Sequence, residues 1–268
     1  MLEYTDEMKD KMAFFNERQQ KITEMVDKSG SVRVADLSKQ FSVSEETIRR
    51  DFEKLEAQGL INRIHGGAVR KEDQKSEIPI PKRKAKNMKE KEMIAMTAAS
   101  YVKDGDIIAM DASTTTLIMT QYIKGKNLTV ITNSIGVSLE LAQESDIRVI
   151  LIGGYLAESS MSLVGNFAER VIQDYHVDKF FFSCLGVDFK RGVSEIHEDQ
   201  ALVKKQLISI SEKLFLLADH SKFGEKSLFR LCDVSQADYL ITDNKVSINT
   251  IRELNNLGIN GIVAEKSE

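Results

Sequence analysis

The sequence predicts an α/β protein in two parts, an N-terminal winged helix-turn-helix joined to a larger Rossmann-like domain on a parallel sheet. Three observations predict it. Residues 34–67 hold two short helical segments split by a tight turn and followed by a glycine-ended hairpin. From Ile94 onward short apolar β-rich runs alternate with helical ones, the pattern of a sheet covered on both faces. Between them, residues 70–92 carry both prolines of the chain within dense mixed charge, which marks a linker. The expected division is a leader at 1–16, the winged unit at 17–70, a linker at 71–91 and the sheet domain at 92–268.

The bulk numbers narrow the class. A chain of 268 residues with 42% hydrophobic and 29% charged residues has ample material for a buried core. The formal charge of −4 argues against a basic coat, so nucleic-acid affinity has to come from a local concentration of Lys and Arg. No apolar run approaches the roughly 18 residues that span a bilayer. The acidic start MLEYTDEMKDKM lacks the apolar core of a signal peptide. Cys184 and Cys232 lie far apart and read as buried thiols in a reducing cytosol, so the expected compartment is cytoplasmic. His65, His176, His197 and His220 have no metal spacing, and neither a metal nor a cofactor is expected.

Residues 1–16 read equally as an amphipathic extension of the first helix, with Met8, Met12 and Phe15, or as a disordered leader. Residues 17–30 read as a helix stopped at Ser29-Gly30. Asp36–Phe41 is a short helix with Leu37 and Phe41 facing inward, and Ser42-Val43-Ser44 is the turn. Ser44 suits the N-cap of the next helix, where Ile48, Phe52 and Leu55 make one buried stripe. Arg50 then points almost opposite that stripe, flanked by Glu46, Thr47, Arg49 and Glu53. Arginine pairs with guanine edges or phosphates, and threonine meets a phosphate or a thymine methyl. Leu60–Ile64 reads as a strand leading to a wing tip at His65-Gly66-Gly67, with both glycines allowing positive φ. Ser44, Glu46, Thr47, Arg49, Arg50, Arg63 and His65 are therefore the expected DNA-contacting residues. The competing reading, a winged helix used only for protein contact, leaves Arg49-Arg50 and the basic wing without a purpose.

Seven apolar runs define the larger sheet: Ile107–Met110, Leu128–Thr132, Arg148–Ile152, Phe180–Cys184, Leu214–Ala218, Tyr239–Thr242 and Gly261–Ala264. After the first comes Asp111-Ala112-Ser113-Thr114-Thr115-Thr116, a hydroxyl-rich turn into a helix. It can hold an anion on free N–H groups with help from the helix dipole, or Ser113 and Thr114 can merely cap the helix. Other strand ends converge on the same crevice of an open parallel sheet. They supply Asn133, Gly153, Gly154, Gly186, Asp188, Asp219, Ser221 and Lys222. The expected roles are sugar-hydroxyl contacts for Asp111, Asn133 and Asp188, close ligand approach at the glycines, and charge neutralisation by Lys222.

The segment SVSEETIRRDFEKLEAQGLINRIHGGAV resembles the N-terminal signature of DeoR-family bacterial transcription regulators, and the resemblance runs over roughly residues 17–264. It implies a regulator, usually a repressor of sugar-catabolic genes, whose C-terminal domain senses a phosphorylated metabolite. The same resemblance implies the strand-end constellation and a sheet similar to the ribose-5-phosphate isomerase group. Family members often carry Glu four residues before the lysine at Lys204, where this chain has Gln200, which cannot act as a base. Lys204 remains a phosphate or hydroxyl candidate.

The expected function is thus a homodimer or homotetramer that binds double-stranded operator DNA and releases or tightens it when a sugar phosphate occupies the crevice. The alternative is a sugar-phosphate isomerase with a DNA-binding appendage, using Asp111, Asp188 or Asp199 as base. A nicotinamide-linked oxidoreductase is excluded, because no Gly-x-Gly-x-x-Gly turn follows a strand.

Overall fold

The structure, a computed structural model, describes residues 17–29, 31–58, 60–64, 66–70 and 80–265. The leader 1–16 and His65 lie outside the described residues. The chain divides into two compact units, 1–76 and 77–268.

In the smaller unit, α1 (Glu17–Ser29) and β1 (Ser31–Arg33) precede α2 (Val34–Gln40) and α3 (Glu45–Ala57). The hairpin β2 (Ile61–Ile64) and β3 (Gly67–Arg70) closes it, and β1 pairs antiparallel with β3 in the order β1-β3-β2. Ile48, Phe52 and Leu55 of α3 are buried with Ile22 and Val26 of α1, Leu37 of α2 and Ile61 and Ala68 of the hairpin. Each of these side chains larger than alanine stabilises the unit by about 1.5–3 kcal/mol relative to exposure. The turn between α2 and α3 passes through Ser42, in a left-handed conformation with φ 53. Ser44 caps α3 as the sequence predicts, its Oγ accepting from Thr47 N at 3.2 Å.

At the wing, Gly66 alone of the glycine pair turns left-handed, with φ 79. Gly67 is required for another reason: a Cβ there would lie 2.4 Å from the Val32 carbonyl oxygen, across the β1–β3 pair. The expectation of positive φ at both positions is corrected accordingly.

The larger unit is built on a seven-stranded sheet in the order β15-β14-β12-β9-β4-β5-β6. Its strands are β4 (Ile107–Met110), β5 (Leu128–Thr132), β6 (Ile147–Leu151), β9 (Val177–Phe182), β12 (Ser211–Leu217), β14 (Tyr239–Asp243) and β15 (Asn260–Ala264). Every pairing is parallel, and each of the seven strands overlaps one of the apolar runs read from the sequence, although the strands at 177–182 and 211–217 begin three residues earlier than expected. Alternation sorts side chains to opposite faces. Phe180 and Phe182 join α8 (Asn166–Ile172), α9 (Glu198–Ser209) and α10 (Ile248–Asn256) through Ala168, Val203 and Leu254. Phe181 and Phe215 join α5 (Met88–Ala99), α6 (Thr114–Ile123) and α7 (Ile135–Leu141) through Ile94, Met119 and Val137.

Two features depart from the sequence reading. Part of the expected linker 71–91 is helical: α4 (Ile80–Ala85) and the start of α5 belong to the larger unit, with Glu90 and Lys91 buried. The apolar face of α5 packs on the sheet, whereas its charged residues obscured that face in sequence. Short antiparallel strands were also missed: the hairpin β7 (Tyr155–Ala157) and β8 (Ser162–Val164), and the sheet β10 (Gly186–Asp188), β11 (Gly192–Glu195) and β13 (Phe229–Cys232).

The strand order places the functional region. The chain runs outward from β4 to β5 and β6, then returns to β9 on the other side of β4. That reversal leaves a crevice beyond the carboxyl ends of β4 and β9, the position where open α/β sheets take ligands.

Candidate functional site

On α3 the outward side chains are held ready by the helix itself. Arg49 Nη2 donates to Glu45 Oε2 at 3.1 Å, and Arg50 Nε lies 3.5 Å from Glu46 Oε1. Arg50 is 73% exposed, and an exposed i,i+4 pair of this kind is easily exchanged for a phosphate or base edge. Arg63 is braced by Glu53 at 2.9 Å and by Glu56 at 4.0 Å, so the hairpin is tied to α3 by a group expected at the DNA. Asp51, which the sequence reading passed over, is buried: Arg18 Nε donates to it at 2.6 Å and Gln19 Nε2 at 2.8 Å. It locks α1 to α3, and its place among the charged residues Arg49, Arg50 and Glu53 hid that role in the sequence.

At the carboxyl end of β4, Asp111 is fully buried and accepts from four donors. Its Oδ1 takes Ser113 N at 3.1 Å and Thr116 Oγ1 at 2.9 Å; its Oδ2 takes Ser183 N at 3.0 Å and the Lys204 ammonium at 2.8 Å. Both oxygens are thereby committed. Asp111 organises the turn, in place of the expected free sugar-hydroxyl acceptor. Lys204 is spent likewise on Asp111, on Glu195 Oε1 at 2.5 Å and on the Ser183 carbonyl at 2.7 Å. Burial works against the ammonium, yet the charges of Asp111 and Glu195 hold its pKa above the usual lysine value. With no donor left over, Lys204 does not fit its expected part as a phosphate partner.

What Asp111 builds is the first turn of α6. Ser113 caps it, accepting from Thr116 N at 3.2 Å, and the N–H groups of Thr114 and Thr115 have no partner among the described residues. Those two donors at a helix N-terminus favour an anion.

A second turn, after β12, carries Asp219, His220, Ser221 and Lys222. Asp219 Oδ1 accepts from Ser221 N at 3.0 Å, Ser221 Oγ at 2.5 Å and Asn87 Nδ2 at 2.9 Å. Burial opposes its charge, but the Ser221 hydroxyl, the Lys222 charge and Asn87 together hold the carboxyl below its usual range. Lys222 is half-buried, and its ammonium makes no hydrogen bond or ion pair among the described residues. Close by is Lys91 of α5, also missed in sequence as one of many linker lysines. Its ammonium donates to the Arg83 carbonyl, and burial pushes its pKa down to about 8 despite Asp219. Asn87, which joins α4 to α5 in a left-handed conformation with φ 54, also donates to Ser221 Oγ at 3.2 Å.

The remaining expected residues serve the frame. A Cβ on Gly154 would lie 2.5 Å from the Val164 carbonyl oxygen, and one on Gly186 2.3 Å from that of Glu225. Close backbone packing thus explains both, where ligand approach had been expected; Gly153 likewise abuts the Phe167 ring. Asn133 Nδ2 donates to the Leu163 carbonyl at 3.0 Å and pins the β7–β8 hairpin. Asp188 is engaged by Lys190 N, Arg191 N and Lys226, so it shapes the β10–β11 turn and does not stand free for a sugar hydroxyl. Gln200 Nε2 donates to Ser160 Oγ at 2.7 Å and Ser162 Oγ at 2.5 Å, holding the same hairpin from α9.

Burial pushes the thiol of Cys184 up, and that of Cys232 up to about 12, so neither is poised as a nucleophile. Among the described residues, two groups bring a histidine to two carboxylates within 4.8 Å: His176 with Asp178 and Glu212, and His220 with Asp219 and Asp243. In the second, His220 Nδ1 lies 3.0 Å from Asp243 Oδ2, and Asp243 also accepts from His220 N and Lys245 N. Hydrogen bonds thus account for that group without a cation.

Comparison with known proteins agrees with this division. Residues 18–74 match the DeoR-like helix-turn-helix domain, and residues 86–244 match the DeoR C terminal sensor domain. The HTH-type transcriptional regulator YulB of Bacillus subtilis is 45% identical over 238 residues, 89% of this chain and 92% of that protein. The HTH-type transcriptional repressor GlcR of the same organism is 33% identical, over 84% of this chain and 87% of its own. Among solved structures, ribose 5 phosphate isomerase A from Neisseria gonorrhoeae aligns with 51% of this chain and 53% of that one, with 18% identity and a TM-score of 0.38; so slight a likeness carries no functional weight. The helix-turn-helix, the sensor domain and the near full-length relatives agree: this chain belongs to the DeoR family of DNA-binding transcriptional regulators.

Proposed function

We propose that this regulator represses sugar-catabolic genes and that a phosphorylated sugar, bound beyond the carboxyl ends of β4, β9 and β12, sets its affinity for double-stranded operator DNA. One observation carries the effector: two unpaired helix N–H groups at Thr114 and Thr115 stand in a unit where the turn after β12 also supplies Lys222 and α5 the buried Lys91. Such donors and cations suit a phosphate dianion. A buried ammonium whose pKa is lowered by burial is stabilised when a dianion arrives, so part of the binding energy comes from relieving a desolvated charge. Ser113 and Ser221 stand at the same strand ends as further hydroxyl contacts.

On the DNA side, Arg50, Arg49 and Thr47 are the base and phosphate contacts, with Ser44 and Glu46 at the start of the helix and Arg63 on the wing. The name of the relative GlcR supports repression as the sign. The buried thiols suit a reducing cytoplasm.

Coupling runs through α4 and α5. Asn87 bonds the Asp219–Ser221 turn, Lys91 bonds the Arg83 carbonyl, and Arg83 donates to the Ser159 carbonyl at 3.3 Å. An effector that draws Lys91 and Lys222 toward its phosphate pulls on the helices leading back to residue 77. A coupling of about 1–3 kcal/mol changes operator affinity about 5- to 150-fold. Turnover is not expected, because Asp111 and Asp188 are both consumed by internal bonds.

The test is operator binding by fluorescence anisotropy, with thermal melting, against a panel of sugar phosphates and the parent sugars. Phosphorylated members should raise the melting temperature and shift operator affinity while the parent sugars do neither. If no phosphate ester moves either quantity, the effector reading fails.

A further inference from the structure

We infer that His176, Asp178 and Glu212 form a site for a divalent transition-metal ion of the zinc class, at the amino ends of β9 and β12. The ligand atoms of the three side chains all lie within 4.8 Å of one another, and His176 Nε2 stands 3.1 Å from Glu212 Oε1. Two ligands bound to zinc at about 2.0–2.1 Å in tetrahedral directions lie about 3.3 Å apart. The imidazole and the Glu212 carboxylate are therefore already spaced for one ion.

The frame holds the three together. β9 and β12 pair in parallel, with Ser211 beside Val177 and Lys213 beside Lys179, which sets Glu212 next to Asp178. Alternation puts Asp178 on the face of Phe180 and Phe182, and Glu212 on the same face with Leu214 and Leu216. The turns that bring in His176 and Glu212 are tied to each other. Val177 N donates to the Ile210 carbonyl at 3.1 Å, and Gln173 Nε2 donates to Gln206 Oε1 at 3.1 Å. Asp178 Oδ2 accepts from Ile107 N at 2.7 Å, which orients the carboxylate and leaves Oδ1 without a partner among the described residues. Carboxylates that ligate metals are themselves steadied by such a hydrogen bond.

Charge supplies a separate argument. Like charges side by side on neighbouring strands repel. On the opposite face Lys179 stands beside Lys213, and Asp106 binds Lys179. The acidic pair has no such relief. Among the described residues no Lys or Arg forms an ion pair with Asp178 or Glu212, and His176 is charged only if protonated. A divalent cation neutralises both carboxylates at once.

The donor set selects the ion. One imidazole with two carboxylates suits zinc and its first-row neighbours, whereas calcium and magnesium favour oxygen ligands throughout. The side chains of His176 and Glu212 are 63% and 60% exposed, so the ion has an open approach and water can complete its coordination. Glu212 arrives from a neighbouring strand, which is why spacing along the sequence gave no sign of the site. These are the strand ends opposite the effector crevice, and the metal site is independent of the effector proposed above.

Calorimetric titration of the chelator-treated full chain with zinc chloride tests it. Wild-type protein should bind zinc with a micromolar Kd, and its melting temperature should rise with zinc and stay unchanged with magnesium. His176→Ala and Glu212→Gln, both at exposed positions, should each weaken zinc binding at least tenfold and remove the rise in melting temperature. His220→Ala, which breaks the other histidine–carboxylate group, should keep the wild-type zinc affinity. A wild type that takes up zinc only at millimolar concentration would overturn the assignment. So would wild-type zinc affinity in His176→Ala, or its loss in His220→Ala.

Discussion

The ammonium of Lys204 lies 2.8 Å from Asp111 Oδ2 and 2.5 Å from Glu195 Oε1, so two buried carboxylates share one buried cation. The same Asp111 holds the turn that starts α6, which makes an internal ion pair the foundation of the candidate anion site.

Lys204→Met leaves two carboxylates buried without their cation and should destabilise the sensor unit by about 3–5 kcal/mol. Urea unfolding followed by dichroism measures it. The folded pKa of Lys204 is raised, so its contribution is present below the unfolded value of 10.5 and is lost as pH rises through the folded one. Wild-type protein should accordingly lose stability at strongly alkaline pH more steeply than Lys204→Met.

Lys91 has the opposite sign. Its folded pKa is about 8 against 10.5 unfolded, so the unfolded chain binds more protons between those values. On this account stability without effector rises with pH from about 8 to 10.5. Affinity for a phosphate ester should fall above pH 8 by up to about tenfold per unit, as the ammonium is lost. Calorimetric titrations at pH 7, 8 and 9 should show that slope for wild type and a flat, weaker response for Lys91→Met.

Asn87→Ala removes two hydrogen bonds and puts alanine at φ 54, a cost of about 1–3 kcal/mol. Asn87→Gly removes the same bonds and relieves the backbone. Both should retain phosphate binding while shrinking the effector-induced change in operator affinity to less than about threefold. A full response in Asn87→Gly would rule out the α4–α5 route.

Arg50→Ala should weaken operator binding by about 1–3 kcal/mol and leave melting unchanged, because the side chain is exposed. Asp51→Ala, one residue on, should instead destabilise the winged unit by about 2 kcal/mol through loss of the Arg18 and Gln19 bonds. Gel shifts and thermal melts of the two proteins separate contact from scaffold.

Much of this was legible in one dimension. Ile48, Phe52 and Leu55 revealed a buried helix stripe, Ser44 its cap, and seven apolar runs the whole parallel sheet. These signals are local: period, cap chemistry and strand composition act within a few residues. The polar groups were less legible. Asp111, Asp188 and Gly186 stood at strand ends and looked like ligand contacts, yet their partners at Lys204, Lys226 and Glu225 lie far along the chain. Lys91 hid among linker lysines because nothing nearby in sequence announces that α5 will bury it.

Periodicity and cap residues were therefore enough to state the helices of the winged unit and the parallel sheet, since apolar burial has a direction that repeats along each segment. The family came from the resemblance carried by the SVSEETIRRDFEKLEAQGLINRIHGGAV segment. Which carboxylates stay free, which lysine loses its water and which glycine meets backbone depended on folding. Those properties follow from distances between residues tens of positions apart, and no local pattern encodes a distance of that kind.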